Sequence, residues 1–301
     1  MPAPTGILLV DKPGGMTSHD VVARARKALN TRKIGHAGTL DPMATGLLVL
    51  GVGPATRLLT FVVGLDKTYE ATIRLGSATD TDDAEGVEKT RADAATLAAV
   101  TSEQIRGGVA ALTGAISQVP STVSAIRVAG RRAYDLVRAG QDVELAARTV
   151  TVSRFDVRAE RRSDGVIDLD VVVDCTSGTY IRALARDLGA ALGVGGHLTA
   201  LRRTRIGPIP VSEAASIDAI ALDALQPSAD IAALVLGRLE VSAEEARDLR
   251  HGKRLPGAAS RMVGSSAQAA AIDPLGSLVG VVEKRGGDVK SAMNLPPEET
   301  A

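Results

Sequence analysis

The apolar and polar positions of this chain follow two rhythms, and each predicts its own kind of element. The residues Val21, Val22, Ala25, Ala28 and Leu29 return at helical spacing. Thr17 and Asp20 form a capping box in front of them, so a helix is predicted to run to about Leu29, with Arg24 and Lys27 on its outer side. From Tyr69 to Leu75 the rhythm becomes strict alternation: Tyr69, Ala71, Ile73 and Leu75 share one strand face, and Glu70, Thr72 and Arg74 the other. Tyr69 is therefore expected to point inward. The same alternation joins Ile167, Leu169, Val171, Val173 and Cys175; Ser177-Gly178 then ends the strand before a helix with Ile181, Leu184, Ala185 and Leu188 on one face. Arg182 falls in the first turn of that helix, off the apolar face, where it can reach into a cleft at the strand's end.

Leu47 to Val52 reads as a buried strand, and Pro54 stands where a first-turn proline would start a second helix towards Val63. A strand over residues 125–128, with Gly130 as its turn residue, precedes a helix predicted over residues 131–139 and stopped by Gly140. Strands and helices alternate without the regular repeat of a doubly wound fold. The fold class is therefore α+β: a mixed, largely antiparallel sheet with flanking helices. After Gln226-Pro227-Ser228 the pattern restarts, and Ser242 with Glu245 forms another capping box, closed by Gly252. These signals divide the chain into a main domain, 1–238, and a small C-terminal domain, 239–301. A domain of about sixty residues is marginal alone and is expected to lean on the main body.

Composition narrows the function classes. With 45% apolar residues in 301, the chain can bury a full core. It has no run of eighteen apolar residues, and its opening lacks the pattern of a signal peptide, so a cytoplasmic, non-membrane protein is expected. The single Cys175 can form neither an internal disulfide nor a thiolate cluster, and four scattered histidines make no metal-ligand spacing, so no metal site is expected. Lys plus Arg balances Asp plus Glu at 35 each, so a polyanion-binding surface must arise from local segregation. Arg24, Arg26, Lys27, Arg32 and Lys33 form one basic cluster. Others are Arg127, Arg131, Arg132 and Arg138, and Arg202, Arg203 and Arg205, while Asp80, Asp82, Asp83 and Glu85 gather as an acidic face. Aromatics are 2% of the chain, too few for a platform that grips a long single strand; a folded RNA read by shape and phosphate fits better.

Between the first helix and the Leu47 strand lies Gly35-His36-Ala37-Gly38-Thr39-Leu40-Asp41-Pro42-Met43-Ala44-Thr45-Gly46, too rich in Gly and Pro to be helix or central strand. Such a loop on a rigid strand allows another molecule to approach closely. It resembles the catalytic loop of TruB-type pseudouridine synthases, a family in the same superfamily as the dyskerin-type synthases. The opening GILLVDKPGGMTSHDVV, the segment Lys67-Thr68-Tyr69-Glu70-Ala71 and the stretch Ser177-Gly178-Thr179-Tyr180-Ile181-Arg182 are similar to that family in the same order. The likeness runs from residue 6 to about 210, and the region after Leu239 looks like the family's PUA domain.

The resemblance implies a pseudouridine synthase fold with a small PUA-like C-terminal domain. It implies an isomerase that detaches a flipped uridine at N1, rotates it and rejoins it through C5, its target being the T-loop uridine, position 55, of tRNA. Asp41 is then the nucleophile, Arg182 pairs with it and favours its ionised form, and Tyr69 packs against the base as candidate acceptor of the C5 proton. His36 is expected to hold RNA whose base has left the stack, with Arg24, Lys27, Arg32, Lys33, Arg202 and Arg203 as further RNA contacts. Tyr180 either stacks on substrate or braces Arg182. No cofactor is required, and the expected partner is the T stem-loop of tRNA, with no obligatory protein partner. The competing reading is a tRNA-binding and folding factor in which isomerisation is secondary.

Overall fold

The computed structural model describes residues 4–121, 127–128, 131–132, 145–163, 165–264 and 267–296. In chain order the strands are β1 (Gly6–Lys12), β2 (Ile34–His36), β3 (Thr45–Val52), β4 (Lys67–Leu75), β5 (Ser77–Thr79), β6 (Glu88–Arg91), β7 (Gly114–Gln118), β8 (Arg127–Val128) and β9 (Arg131–Arg132). They continue as β10 (Arg148–Ser163), β11 (Val166–Cys175), β12 (Gly196–Ile206), β13 (Ile209–Pro210), β14 (Ala215–Ser216), β15 (Arg238–Glu240), β16 (Gln268–Ile272), β17 (Leu278–Arg285) and β18 (Asp288–Asn294). The helices are α1 (Ser18–Ala28), α2 (Leu59–Val63), α3 (Ala94–Ala99), α4 (Ser102–Ala111), α5 (Ile181–Ala191), α6 (Ser228–Leu236) and α7 (Ala243–Arg250). Among the described residues no helix is long and apolar enough to cross a membrane. The chain forms two compact units: Met1–Leu40 with Gly46–Gly64 and Gly207–Ala301, and Asp41–Thr45 with Leu65–Ile206.

In the first unit β14 lies parallel to β1, β1 antiparallel to β3, and β3 antiparallel to β2. Helix α1 covers this sheet because its capping box forms as the sequence dictates, with Thr17 and Asp20 exchanging side-chain and backbone bonds. Val21, Val22 and Ala25 are thereby turned onto Leu8, Val10, Leu48 and Leu50 in one apolar cluster. Pro54 does begin a helical stretch, but Gly53–Leu58 is a 3₁₀ helix and only Leu59–Val63 is α. The Thr56 hydroxyl bonds back to the Gly53 carbonyl at 2.9 Å, which suits the tighter i to i+3 turn. The C-terminal part is β-rich as expected: β15 to β18 form a sheet in that order, packed with α7 on their own cluster of Leu239, Leu249, Val279 and Val289.

In the second unit β12, β4, β11, β10 and β7 pair antiparallel in that order. The alternation read from the sequence is realised on β4 and β11, whose Ile73, Leu75, Leu169, Val171 and Val173 are buried. Helix α5 lies against β12 at glycine contact distance. A Cβ at Gly189 would fall 2.2 Å from the Gly195 carbonyl carbon and from the Gly196 nitrogen, so only hydrogen fits there. The mixed, largely antiparallel sheet with flanking helices predicted from the sequence is the architecture found. One predicted helix differs: Arg131 and Arg132 belong to a strand paired with Arg127 and Val128, and residues 133–140 lie outside the described residues. The side chains of the second basic cluster also fall outside them.

Candidate active site

The loop that carries Asp41 is shaped before the carboxylate is reached. Ala37 donates to the Val49 carbonyl at 2.9 Å, and Gly38 and Gly46 take positive φ of 90° and 99°, which side-chain-bearing residues avoid. The buried Ser18 hydroxyl donates to the Leu40 carbonyl at 3.1 Å and accepts from the Leu40 amide at 2.8 Å, fixing the residue before Asp41 from the first turn of α1. Asp41, Pro42 and Met43 then form a turn closed by the Ala44 amide on the Asp41 carbonyl at 3.1 Å. The Asp41 side chain keeps 36% of its surface exposed, enough to meet another molecule.

Its partner is Arg182, buried to 4% exposure, whose Nε stands 3.0 Å from Asp41 Oδ2. The expected ion pair is therefore present. The sequence reading missed the other half of this arrangement. Arg182 Nη1 bonds to Asp83 Oδ2 at 3.1 Å and to the Thr81 carbonyl at 2.8 Å, and the Asp83 side chain is as buried as the arginine. Asp83 is itself oriented, because its Oδ1 accepts from the Thr81 hydroxyl at 2.5 Å and from the Glu85 amide at 3.1 Å. One turn further along α5, Arg186 binds Asp82 at 3.3 Å and the Val119 carbonyl at 2.8 Å. Burial raises the Asp82 carboxyl above its usual range, opposed by the Arg186 charge. Asp82 and Asp83 thus belong to a loop gripped by two arginines of one helix. They are not an exposed acidic face, and the signal available was that a buried arginine rarely rests on one carboxylate.

The start of α5 is fixed from β7. The fully buried Gln118 accepts from the Tyr180 amide at 2.8 Å through Oε1 and donates to the Tyr180 carbonyl at 3.0 Å through Nε2. With no side-chain cap available at Tyr180, this amide satisfies backbone groups at the helix entry. The Tyr180 ring is half-buried, with the Arg148 guanidinium carbon 5.5 Å from its centroid, a cation–π contact. Tyr69 points inward as expected and is 8% exposed. Burial pushes its phenol above the usual range, while the Arg203 charge and a hydrogen bond from Arg203 pull it down.

The predicted RNA contacts separate into two groups. Arg24, Lys27, Arg32 and Lys33 are exposed on α1 and the segment after it, Arg24 pairing with Asp218 at 2.9 Å. His36, on β2, is half-buried, its ring edge-on to His19 at 6.0 Å. Arg202 lines a groove of about 890 Å³ with Met43, Thr45 and Thr68. Arg203 is different: it is 1% exposed and faces Tyr69 across the β12–β4 ladder, so it cannot serve as a surface RNA contact. Alternation along β12 turns Arg203 inward while Arg202 turns out. Cys175 is buried, its thiol pushed up to about 11 by desolvation, which leaves it inert.

The site is thus a carboxylate presented on a glycine-framed loop and held by a buried arginine, in a protein built on a mixed sheet with flanking helices. Family models agree along nearly the whole chain: the TruB family pseudouridylate synthase N-terminal domain matches residues 26–181, the tRNA pseudouridylate synthase B C-terminal domain 182–234, and the tRNA pseudouridine synthase II C-terminal model 236–296. The chain belongs to the TruB family of pseudouridylate synthases. It is 56% identical over 304 residues to a tRNA pseudouridine synthase B of Leifsonia xyli subsp. xyli (strain CTCB07), covering 99% of this chain and 98% of that protein. To the protein of the same name from Nocardia farcinica (strain IFM 10152) it is 57% identical over 283 residues, covering 93% and 90%. Among solved structures, the crystal structure of a Cbf5-Nop10-Gar1 complex is similar with a TM-score of 0.69 and 25% identity, over 97% of this chain and 84% of that one.

Proposed function

We propose that this chain isomerises uridine to pseudouridine in tRNA, at the T-loop position 55, with Asp41 as the nucleophile acting on a base flipped out of its stack. The observation that carries this reading is the relay from Asp41 through Arg182 to Asp83. Arg182 spends one edge on Asp41 and another on Asp83, so the guanidinium cannot swing away and the Asp41 carboxylate is held as an aimed anion. An anion so placed can attack the sugar or the base, or stabilise a glycal-like intermediate, which a neutral acid cannot do as well. Tyr69 is the candidate acceptor of the C5 proton, and Tyr180 a surface beside the base. The exposed cations Arg24, Lys27, Arg32 and Lys33, with His36 and Arg202, supply contacts that offset the few kcal/mol of unstacking. The reaction needs no cofactor, and the enzyme is expected to act in the cytoplasm without an obligatory protein partner.

Release of tritium from C5-labelled uridine in tRNA tests this directly, because only catalysis frees that label. Asp41→Asn should bind tRNA with unchanged affinity and release no tritium above background. Wild-type turnover by that variant would remove Asp41 from the mechanism. The exposed cations on α1 also suit a tRNA-folding factor; that reading predicts that Asp41→Asn still accelerates the refolding of misfolded tRNA, an assay separate from tritium release.

A further inference from the structure

Helix α5 carries Arg182 in its first turn, where backbone amides have no partners within the helix and where helices fray. Packing farther along, where Gly189 meets the Gly195–Gly196 backbone, sets the axis of α5 but not its entry. Helix entries are usually closed by a short side chain at the N-cap: Ser, Thr, Asp or Asn. Here that position is Tyr180, whose ring gives no side-chain cap. The missing bonds come from one rung of the sheet. Gln118 and Arg148 are direct partners in the β7–β10 ladder, so their side chains share a face. The fully buried Gln118 holds the Tyr180 main chain at its amide, at 2.8 Å, and at its carbonyl, at 3.0 Å. Arg148 covers the ring of the same residue, 5.5 Å from its centroid. Farther along β10, Thr151 ties down the turn that leads into α5. Its carbonyl accepts from the Thr176 amide at 2.9 Å, and its amide donates to the Thr176 hydroxyl at 3.0 Å.

We propose that the Gln118–Arg148 rung is a pair of positioning residues for the reaction: Gln118 fixes the main chain from which Arg182 reaches Asp41, and Arg148 fixes the plane of the Tyr180 ring. The inference rests on the reading of Asp41 and Tyr180 given above. Arg182 follows Tyr180 by two residues, so a shift of the Tyr180 backbone is carried into the guanidinium that stands 3.0 Å from Asp41. A misplacement of about 1 Å at a reacting group costs about 100-fold in rate. An amide suits position 118 because one planar group offers both an acceptor and a donor; a protonated glutamate has the same pattern, and an ionised one does not. The two residues of the rung act on different things. Gln118 governs the meeting of Arg182 with Asp41 and hence the chemical step, whereas Arg148 restrains a half-buried ring through a weaker cation–π contact.

Single-turnover tritium release from C5-labelled tRNA at saturating enzyme reads the chemical step, with circular dichroism to show that each variant is folded at the assay temperature. Gln118→Met keeps the length and removes both bonds. It should slow release about 10- to 100-fold while tRNA affinity stays near wild type. Gln118→Glu is the rescue. Burial raises its carboxyl, whereas the guanidinium of Arg148 opposite and that of Arg186 on the Val119 carbonyl oppose the rise. Between about pH 9 and pH 5 its rate relative to wild type should therefore climb from the level of Gln118→Met towards one as the neutral acid forms. A ratio near one throughout that range, with Gln118→Met slow, also supports the proposal, because the acid is then neutral at every pH tested. Release by Gln118→Met within about twofold of wild type overturns it, and so does a Gln118→Glu variant as slow as Gln118→Met at every pH. Should Gln118→Met not fold, the shorter Gln118→Asn takes its place under the same criterion. Arg148→Leu should slow release about two- to fivefold and have no further effect once Tyr180 is replaced by leucine. Equal effects in both backgrounds overturn the role of Arg148. Asp41→Asn keeps the two ideas apart. If it turns over like wild type, the mechanism beneath the proposal fails; if it is inactive while Gln118→Met is unimpaired, only the role of the rung fails.

Discussion

Replacing Asp83 by asparagine tests whether the active-site arginine depends on a second carboxylate. The substitution is isosteric, and the side-chain oxygen that accepts from the Thr81 hydroxyl and the Glu85 amide can be kept, so the loop over residues 80–86 retains its own bonds. The other oxygen, 3.1 Å from Arg182 Nη1, becomes an amide nitrogen, and two donors then face each other where the arginine is only 4% exposed. A hydrogen bond to a charged group contributes about 1.5–3 kcal/mol, and water cannot replace it there. At about 1.4 kcal/mol per tenfold in rate, the loss of a fixed Arg182 should lower single-turnover tritium release about 10- to 100-fold. Binding of tRNA should change little, since the side chain is buried. The melting temperature should fall by roughly 2–5 °C if the same energy is lost from the fold. Tritium release within twofold of wild type would refute the reasoning, because Arg182 would then hold Asp41 in place without its second carboxylate.

Further outcomes follow from the same geometry. Gly189→Ala should lower the thermal midpoint markedly or yield insoluble protein, since the added methyl meets the Gly195–Gly196 backbone at 2.2 Å and pushes α5, with Arg182, away from β12; differential scanning calorimetry reads this. Lys67 carries a folded-state pKa lowered by burial from 10.5 to about 8, so between those values the unfolded chain binds more protons and stability must rise with pH. Urea titrations across pH 8 to 10.5 should show that rise in wild type and lose it in Lys67→Met. Arg32→Ala combined with Lys33→Ala should weaken tRNA binding and flatten its salt dependence by roughly one unit in log K against log salt per lost phosphate contact, with single-turnover chemistry at saturating enzyme unchanged. Filter binding over a range of salt concentrations decides it.

Much of the fold was written in local patterns. Helix α1 was legible because Thr17, Asp20 and the spacing of Val21, Val22 and Ala25 all act within a few residues, and β4 because strict alternation has one interpretation at a half-buried sheet. The loop around Asp41 and the first-turn position of Arg182 were legible for the same reason: motif and element are local, and the structure brings the two side chains to 3.0 Å. Tyr69 pointed inward on the same evidence.

What the sequence could not decide were the meanings of charges that look alike on paper. Asp83 stands among Asp80, Asp82 and Glu85 as though on a solvated acidic face, and Arg203 stands between Arg202 and Arg205 as though on a basic one. Only long-range pairing separates them: Asp83 is 99 residues from Arg182 along the chain, and Arg203 meets Tyr69 through the register of β12 against β4. A one-residue shift in that register would exchange Arg203 for Arg202 on the inner face. Local spacing sets which element a residue belongs to, because backbone sterics and hydrogen bonding act over a few residues. Which charge is buried, and what it faces, is settled by strands and helices far apart in sequence packing together, since desolvation has to be compensated by whatever partner the assembled fold provides.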